Sequence, residues 1–356
     1  MATQTISFNI TKTEKSRIAQ LDPQNIVFGS LFTDHMLVAD YINGEWQTPE
    51  ILPYGKMEFT PALASIHYGQ SIFEGMKAFK SESDEVFMFR PLENFKRFNI
   101  SAERMSMPAV PEEIFMGGLE ELLRMDAAWI PKGGDNSLYL RPFMFATDEY
   151  LGVRTALNYR FMIIMSPAGS YYSSAPKVKV EKEFIRAAPG GVGFAKCAGN
   201  YAASLYPAKL AADQGYTQLL WTDAIEHKYF EESGTMNVVF IKDNKVVTPA
   251  VSSTILKGTT REALLQIAID KGYEVEERKV TVDEIIEGIK YGTVTEVFGV
   301  GTAVVVSPFS AVGYEGEDLM LPEITENSVS QILKTSLNNI RTGKVEDTYG
   351  WVWKVV

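Results

Sequence analysis

The order of strand-like and helical segments is the feature that most restricts the fold of this chain. In the first half, the runs Met36 to Tyr41 and Ser83 to Phe89 are typical of strands, whereas Leu92 to Met105 and Pro111 to Ala127 are typical of helices. In the second half, strand-like runs dominate around a helical pattern at Thr260 to Lys271. Because the two kinds of segment do not alternate strictly, we expect an α+β fold with largely antiparallel sheets and not a doubly wound parallel sheet.

A segment rich in Ser, Gly and Pro, from Ser166 to Pro176, is the best candidate for a joint between two domains. It separates the apolar run Tyr159 to Met165 from a segment of alternating character. The 356 residues are enough for two domains with cores of their own. We therefore expect a smaller N-terminal α/β domain at residues 1–170 and a larger C-terminal α/β domain at residues 171–356 that carries Lys196.

Composition and charge exclude several classes of protein. The net charge of -11, without a compensating basic run, repels nucleic acid and anionic membranes, so any anionic ligand must meet local positive charge. One cysteine excludes an internal disulfide framework, and the three histidines match no zinc spacing. No apolar run approaches the roughly 18 residues of a membrane span, and the N-terminus lacks a signal-peptide core. We expect a metal-free cytoplasmic protein that binds neither nucleic acid nor membrane.

The glycine-rich segment Pro189 to Leu205 places Lys196 among small or apolar neighbours. It is not a Walker phosphate loop, because Ala195 and Cys197 occupy positions that require Gly and Ser or Thr. A lysine with little competing charge suits imine formation with an aldehyde, since desolvation favours the neutral amine. Tyr201 is then placed to meet a phenolic oxygen of a cofactor. A mobile surface loop and a packed tyrosine are the alternatives, and this segment alone does not decide between them.

Two further patterns are compatible with a phosphorylated aromatic cofactor. Glu232 precedes a Ser-Gly-Thr turn, where it is either a turn residue or a carboxylate that keeps a pyridine nitrogen protonated. Helix N-termini and Gly-Thr turns offer N–H groups to phosphate, although such turns also cap helices routinely. The candidates for a phosphate site are Arg90, Gly258, Thr259, Thr260, Gly301 and Thr302.

The motifs together resemble those of the branched-chain aminotransferases, fold type IV of the pyridoxal-phosphate enzymes. They are FGSLFTDHM, HYGQSIFEGMKAF, MFRPLENFKRF, SLYLRPF, GGVGFAKCAGNY, ESGTMN, LKGTTRE and FGVGTA, and they cover nearly the whole chain in the family's order. The resemblance implies a homodimer with pyridoxal 5'-phosphate. It also implies transfer of the amino group of L-leucine, L-isoleucine or L-valine to 2-oxoglutarate, which gives the branched 2-oxo acid and L-glutamate by a ping-pong mechanism.

The resemblance also implies a role for each matching residue. Lys196 would hold the cofactor as a Schiff base and later act as the general base. Tyr201 would bind the cofactor's phenolate oxygen, Glu232 would bind its pyridine nitrogen, and Thr235 would be a further contact. Arg90, Gly258, Thr259, Thr260, Gly301 and Thr302 would bind the phosphate. The substrate pocket would comprise Tyr68, Phe73, Tyr139, Arg141, Leu151, Val153, Tyr171, Thr302 and Ala303.

Within that pocket, Arg141 would meet the distal carboxylate of glutamate or 2-oxoglutarate, and the aromatic residues would contact branched side chains. The turn at Thr302 and Ala303 would bind the α-carboxylate, and Leu151 and Val153 would reach the neighbouring subunit's site.

The chain departs from the mammalian members at one place. Val304 and Ser307 stand where those members carry a Cys-x-x-Cys redox pair, so we expect no thiol regulation of that kind. Cys197 is expected to be a packed small residue, and His35 and His67 are expected to be structural. The alternatives are a D-amino acid aminotransferase or aminodeoxychorismate lyase of the same fold, a non-catalytic phosphate-ligand binding protein and a purely structural protein.

Overall fold

The computed structural model describes residues 6–133, 136–169 and 174–355. The chain forms two compact units: the first comprises Met1–Tyr171, Ala195–Gly199 and Ile340–Val356, and the second comprises Tyr172–Phe194 and Asn200–Asn339. The short segment that contains Lys196 thus belongs to the first unit, although it follows the predicted joint in the sequence. Residues 170–173, in the middle of that joint, lie outside the described residues.

The strands of the described chain are β1 (Asn9–Ile10), β2 (His35–Ile42), β3 (Glu45–Trp46), β4 (Glu50–Pro53), β5 (Ser71–Phe73), β6 (Met76–Lys80), β7 (Val86–Phe89), β8 (Ser137–Ala146), β9 (Tyr159–Ala168), β10 (Lys177–Glu181), β11 (Gln218–Thr222), β12 (Phe230–Ser233), β13 (Met236–Lys242), β14 (Lys245–Pro249), β15 (Val275–Arg278), β16 (Val294–Gly301), β17 (Val305–Pro308), β18 (Ala311–Tyr314), β19 (Glu317–Met320) and β20 (Val352–Lys354). The helices are α1 (Ala64–Tyr68), α2 (Pro91–Arg104), α3 (Glu112–Met125), α4 (Ala198–Asp213), α5 (Thr259–Asp270), α6 (Val282–Tyr291) and α7 (Val329–Arg341), with short 3-10 turns at Ile18–Gln20 and Ala127–Trp129.

Each unit contains one large sheet. In the first unit the strand order is β1-β4-β2-β9-β8-β6-β7-β20, with β3 beside β2 and β5 beside β8, and only the β1–β4 pair is parallel among the described strands. In the second unit the order is β15-β14-β13-β12-β11-β10-β18-β19, and β16 pairs with β13 and β17. The parallel pairs there are β10–β11, β10–β18 and β14–β15. The predicted α+β class with largely antiparallel sheets is therefore confirmed.

An aromatic cluster joins helices to the sheet in the first unit. The ring centroids of Phe98, Phe115 and Phe161, from α2, α3 and β9, lie 5.4–5.6 Å apart, and all three side chains are fully buried. Close packing also requires Gly118 on α3, where an added Cβ would lie 2.6 Å from Cδ2 of Leu37 on β2. These contacts fix α2 against the sheet, and α2 is one of the elements that support Lys196.

The core of the second unit forms where α5 and α6 pack on the sheet around Val238, Phe240 and Val297. The hydroxyl of Thr281 accepts a hydrogen bond from the N–H of Glu284 and caps the first turn of α6. In the described part of the chain, no helix is both long enough and apolar enough to span a membrane.

We predict that Phe115→Ala lowers the free energy of unfolding by about 3–5 kcal/mol, because it leaves a cavity in the aromatic cluster. Urea denaturation followed by tryptophan fluorescence measures the loss. Ile100→Ala on α2, where the side chain is half exposed, is the control and is expected to cost much less. Equal losses in the two variants would contradict the role assigned to the cluster.

Candidate functional site

Backbone hydrogen bonds hold Lys196 against two elements of the first unit. Its N–H donates to the hydroxyl of Ser101 on α2 at 2.9 Å, and its carbonyl accepts from the N–H of Phe73 on β5 at 3.0 Å. The next residue, Cys197, is buried and bridges to Ile72, as expected for a packed side chain. These bonds place the Lys196 ammonium 4.8 Å from the centroid of the Phe73 ring.

A buried ion pair lies beside this lysine. Both Glu74 carboxylate oxygens accept from the guanidinium of Arg97, at 2.7 and 2.8 Å, and one also accepts from the Asn94 amide at 2.8 Å. Burial raises the pKa of the Glu74 carboxyl. The charge and hydrogen bonds of Arg97, with the charge of Lys196 and the Asn94 bond, outweigh burial and hold this pKa below its usual value. Glu74 therefore stays ionised and supplies negative charge near Lys196.

Arg141 and Tyr139 stand two residues apart on β8, on the same side of the strand. The Arg141 guanidinium lies 4.5 Å from the Phe73 ring centroid and donates to the Tyr139 hydroxyl at 2.9 Å. Its Nε is buried, and no described residue accepts a hydrogen bond from it. Tyr139 packs so closely on Gly75 that an added Cβ would lie 2.1 Å from the hydroxyl oxygen. Phe73 thus brings Lys196, Arg141 and Tyr139 into one cluster, in which one guanidinium N–H has no acceptor among the described residues.

The other predicted residues of the first unit occupy separate positions. Arg90 precedes α2 in the left-handed conformation, with φ 49°, and its guanidinium lies 5.5 Å from the Trp351 ring centroid. The Tyr68 hydroxyl donates to the carbonyl of Leu151 at 2.5 Å. Leu151 and Val153 are strongly exposed, at 64% and 87%. Tyr171 lies outside the described residues.

Glu232 is a buried carboxylate on β12 of the second unit. One of its oxygens accepts from the N–H of Leu256 at 2.6 Å, and the other lies 3.4 Å from Nε of Arg186. Arg186 is held in turn by the carbonyl oxygens of Gly193, at 3.1 Å, and Thr254. The Glu232 carboxylate thus lies between a guanidinium and a backbone donor.

Asn237 contacts several of the second unit's segments that contain predicted site residues. It pairs with Glu232 on β12 and with Val300 on β16, and its amide donates to the carbonyl of Leu256 at 2.9 Å. Gly258 is needed beside it, because an added Cβ would lie 2.0 Å from Oδ1 of Asn237. Gly258, β12 and the end of β16 therefore all adjoin Asn237 at one end of β13. Thr259 and Thr260 are buried in the first turn of α5, and Gly301, Thr302 and Ala303 lie at and just after the end of β16.

Two predicted cofactor contacts lie at the ends of elements in the second unit. Tyr201 is half-buried in the first turn of α4, and Thr235 is exposed in the turn between β12 and β13.

His35, one of the two histidines predicted to be structural, is buried. Its ring nitrogens contact Asp126 at 2.7 Å and the N–H of Thr13 at 3.0 Å. Among the described residues, no cluster of three or more His, Cys, Asp or Glu side chains is arranged to hold a metal ion.

Each unit, taken by itself, presents donor groups of kinds that a phosphorylated pyridine aldehyde needs. The first unit presents a lysine beside an aromatic ring and a guanidinium with one N–H that has no acceptor among the described residues. The second unit presents a buried carboxylate, suited to a protonated ring nitrogen, and a helix N-terminus with two threonines, suited to phosphate. The first unit thus offers amine chemistry, and the second offers acid and anion-binding chemistry.

The sequence analysis did not identify the residues that hold the regions around Lys196 and Glu232 in place. Glu74 and Arg97 hold the region around Lys196, and Arg186 and Asn237 hold the region around Glu232. The available signals were a carboxylate inside the apolar run of β5 and β6, and an arginine just before the glycine-rich segment. Neither pattern specifies a partner, because the partners are distant in sequence.

Comparison with known proteins gives a consistent set of similarities. Residues 71–312 match the family model described as amino-transferase class IV. The chain is 47% identical over 335 residues to a probable branched-chain-amino-acid aminotransferase of Staphylococcus epidermidis, covering 93% of each chain. It is 42% identical over 359 residues to branched-chain-amino-acid aminotransferase 2 of Bacillus subtilis, covering 100% of this chain and 98% of that protein.

The fold is also similar to solved structures. The branched-chain amino acid aminotransferase from Escherichia coli superposes with a TM-score of 0.70 at 26% identity, covering 89% of this chain and 98% of that one. The branched-chain aminotransferase of Thermoproteus uzoniensis, crystallised with norvaline, has a TM-score of 0.75 at 23% identity and covers 90% and 100% of the two chains. These likenesses confirm the predicted fold.

We predict that Arg97→Met lowers the free energy of unfolding by about 3–5 kcal/mol, because it leaves the Glu74 carboxylate buried without its ion partner. Urea denaturation measures the effect. Lys96→Met removes an exposed ion pair to Glu93 on the same helix and is expected to cost less than about 1 kcal/mol. The double variant Glu74→Gln/Arg97→Met should recover part of the loss. No recovery would show that Arg97 acts by packing alone.

Proposed function

The chain belongs to the class IV aminotransferases, and on that premise we propose that it is a branched-chain amino acid aminotransferase that uses pyridoxal 5'-phosphate. It transfers the amino group of L-leucine, L-isoleucine or L-valine to 2-oxoglutarate and releases the branched 2-oxo acid and L-glutamate. Relatives that are 42–47% identical over nearly the whole chain carry this name, which supports the proposal.

The observation that carries the proposal is the cluster of Lys196, Phe73, Tyr139 and Arg141. A pocket for both leucine and glutamate must accept an aliphatic side chain in one half-reaction and a carboxylate in the other. The Phe73 and Tyr139 rings provide apolar surface, and the Arg141 Nε lacks a hydrogen-bond acceptor among the described residues. Arg141 therefore binds the distal carboxylate of glutamate or 2-oxoglutarate, whereas a branched side chain packs on the aromatic rings.

We assign the cofactor contacts by the chemistry of each donor group. Lys196 attaches the cofactor, Tyr201 binds its phenolic oxygen, and Glu232 binds its ring nitrogen. Thr235 is a further contact. The phosphate is bound by Arg90, Gly258, Thr259, Thr260, Gly301 and Thr302. When bound, pyridoxal phosphate accepts electrons from the bond that is broken at the substrate Cα.

The chain's own residues transfer the proton of the substrate Cα and bind the charged groups of the cofactor and the substrate. The Lys196 amine takes the proton from the substrate Cα as the general base. Arg186 and the N–H of Leu256 hold the Glu232 carboxylate in position, and that carboxylate pairs with a protonated ring nitrogen. The N–H groups of the turn at Thr302 and Ala303 bind the substrate α-carboxylate.

The remaining residues of the substrate site are Tyr68, Leu151, Val153 and Tyr171. We propose that the protein is a cytoplasmic homodimer in which Leu151 and Val153 enter the neighbouring subunit's pocket. The strong exposure of these two apolar side chains supports an interface, because each would otherwise face water.

We predict that the purified protein is yellow, loses its visible absorbance with L-leucine and regains it with 2-oxoglutarate. Lys196→Ala is expected to remove this cycle, because it removes both the attachment point and the base. Lys209→Ala, which alters a largely exposed lysine, is the control and should cycle normally. A protein that stays colourless after pyridoxal phosphate is supplied would contradict the cofactor, and bleaching by D-leucine instead of L-leucine would contradict the substrate.

We predict that Arg141→Met raises the KM for 2-oxoglutarate by about 10–100-fold, because a charged hydrogen-bond donor to the distal carboxylate is lost. The kcat/KM for L-leucine should change much less, since leucine has no such carboxylate. Steady-state kinetics of both half-reactions measure the contrast, and Arg124→Met on the exposed face of α3 is the control. An equal loss with both substrates would show that Arg141 is not the selective contact.

A further inference from the structure

A compact loop of the first unit, residues 149–157, lies between β8 and β9 and carries Leu151 and Val153. Its two ends are close together, because the N–H of Thr147 donates to the carbonyl of Asn158 at 2.9 Å. A surface loop with closed ends is held in shape by its own side chains. The side chains that close the 149–157 loop therefore decide where its two apolar residues lie.

A buried carboxylate, Asp148, closes this loop. The residue is 6% exposed. Its Oδ1 accepts from the N–H of Asn158 at 2.8 Å and from the Asn158 amide at 3.1 Å. Both carboxylate oxygens accept from the N–H of Leu157, at 3.2 and 3.1 Å, and Oδ2 lies 2.9 Å from the guanidinium of Arg154. Donors from the middle and the far end of the loop thus converge on one ionisable side chain, and hydrogen bonds to a carboxylate are the stronger kind.

Arg154 extends this support to the tip of the loop. The guanidinium that pairs with the carboxylate also lies 4.5 Å from the centroid of the Tyr150 ring. That ring covers Gly152 so closely that an added Cβ would lie 2.2 Å from Cε1 of Tyr150. Gly152 stands between Leu151 and Val153 in the chain, so these contacts fix the backbone that presents both side chains.

The ordered backbone of the loop contrasts with its exposed apolar side chains. Leu151, Val153 and Leu157 are 64%, 87% and 62% exposed. The N–H of Tyr150 meanwhile donates to the carbonyl of Ala62 at 3.1 Å, which ties the loop to the chain before α1. A loop that is already held in its bound shape loses little conformational entropy when another surface covers it.

We propose that Asp148 is a positioning residue for the substrate site of the neighbouring subunit. This inference rests on the proposed homodimeric aminotransferase, in which Leu151 and Val153 enter that subunit's pocket. Asp148 holds the 149–157 loop in the conformation that places these side chains against the aliphatic side chain of a branched substrate. 2-Oxoglutarate depends on Arg141 for its distal carboxylate and therefore needs the loop less.

The first test is steady-state kinetics of the cofactor-loaded Asp148→Ala variant. Its kcat/KM for L-leucine should fall at least about tenfold, mainly through KM, because apolar contact with the substrate side chain is lost. Its kcat/KM for 2-oxoglutarate should change little. Arg154→Met, which alters a partly exposed side chain and removes only the support of the tip, should give a smaller loss in the same direction.

The matched control is Asp40→Ala. Asp40 forms an ion pair with Arg160 between β2 and β9, at 2.7 and 2.8 Å, and lies outside the loop. This variant removes a paired carboxylate from the same unit and should leave the ratio of the two kcat/KM values unchanged. An equal loss with both substrates in Asp148→Ala would show that this carboxylate only stabilises the fold, and would overturn the proposal.

Hybrid dimers show which pocket the loop serves. A Lys196→Ala chain paired with an Asp148→Ala chain has one reactive lysine, and the pocket around it receives the intact loop. Its kcat/KM for L-leucine, per active site, should equal that of the unaltered dimer. A Lys196→Ala/Asp148→Ala chain paired with an unaltered chain should show the full loss. The reverse pattern would place the effect in the loop's own subunit and would overturn the proposal.

Hydrogen exchange separates this inference from the proposed function. In Asp148→Ala, the amides of Leu157 and Asn158 lose their acceptor and should exchange at least about tenfold faster, because the loop opens locally. Asp40→Ala should leave these two amides unchanged. Unchanged exchange in Asp148→Ala contradicts the inference even where the enzyme is active. An unaltered protein that is monomeric, or that does not transaminate L-leucine, overturns the proposed function and the inference with it.

Discussion

The buried ion pair between Glu74 and Arg97 supports the arrangement around Lys196. Glu74 lies at the corner between β5 and β6, and Arg97 projects from α2, so the pair joins the sheet to the helix. The Ser101 hydroxyl, one turn further along α2, donates to the carbonyl of Arg97 and accepts from the N–H of Lys196. The same corner places the Phe73 ring close to both the ammonium of Lys196 and the guanidinium of Arg141. An ion pair in the core thus supports the position of the amine and the guanidinium that we propose for the cofactor and the distal carboxylate.

The short strand β12 carries two adjacent carboxylates, Glu231 and Glu232, whose surroundings differ. Glu232 meets Arg186 and the N–H of Leu256, which stabilise its charge, and it is the proposed partner of a pyridine nitrogen. Glu231, next to it, accepts a hydrogen bond from the Thr254 hydroxyl; burial raises its pKa to about 7, and its other oxygen lacks a donor among the described residues. The two adjacent carboxylates thus differ in their hydrogen-bond donors, because a register shift interrupts the pairing of β12 with β11 at this point.

Local patterns predicted much of the fold because they report local structure. The helical spacing of Leu92 to Met105 and Pro111 to Ala127 corresponds to α2 and α3, and the strand-like run Met36 to Tyr41 lies within β2. The lysine in the glycine-rich segment, Glu232 and the Gly-Thr turns were also recognisable, because each has an unusual local composition. The partners Arg97, Arg186 and Asn237 were not recognised, since each acts through residues far away in sequence.

The sequence by itself determined the α+β class, the family and the residue types able to carry amine, acid and phosphate-binding chemistry, because these depend on periodicity and on motifs a few residues long. Only the tertiary structure decided which groups support them. It showed that the segment Ala195–Gly199 belongs to the first unit, that Arg141 retains an N–H without an acceptor among the described residues, and that Glu231 is buried. The physical reason is that desolvation, ion pairing and unsatisfied hydrogen bonds depend on which distant residues are packed together, and a linear pattern does not encode those distances.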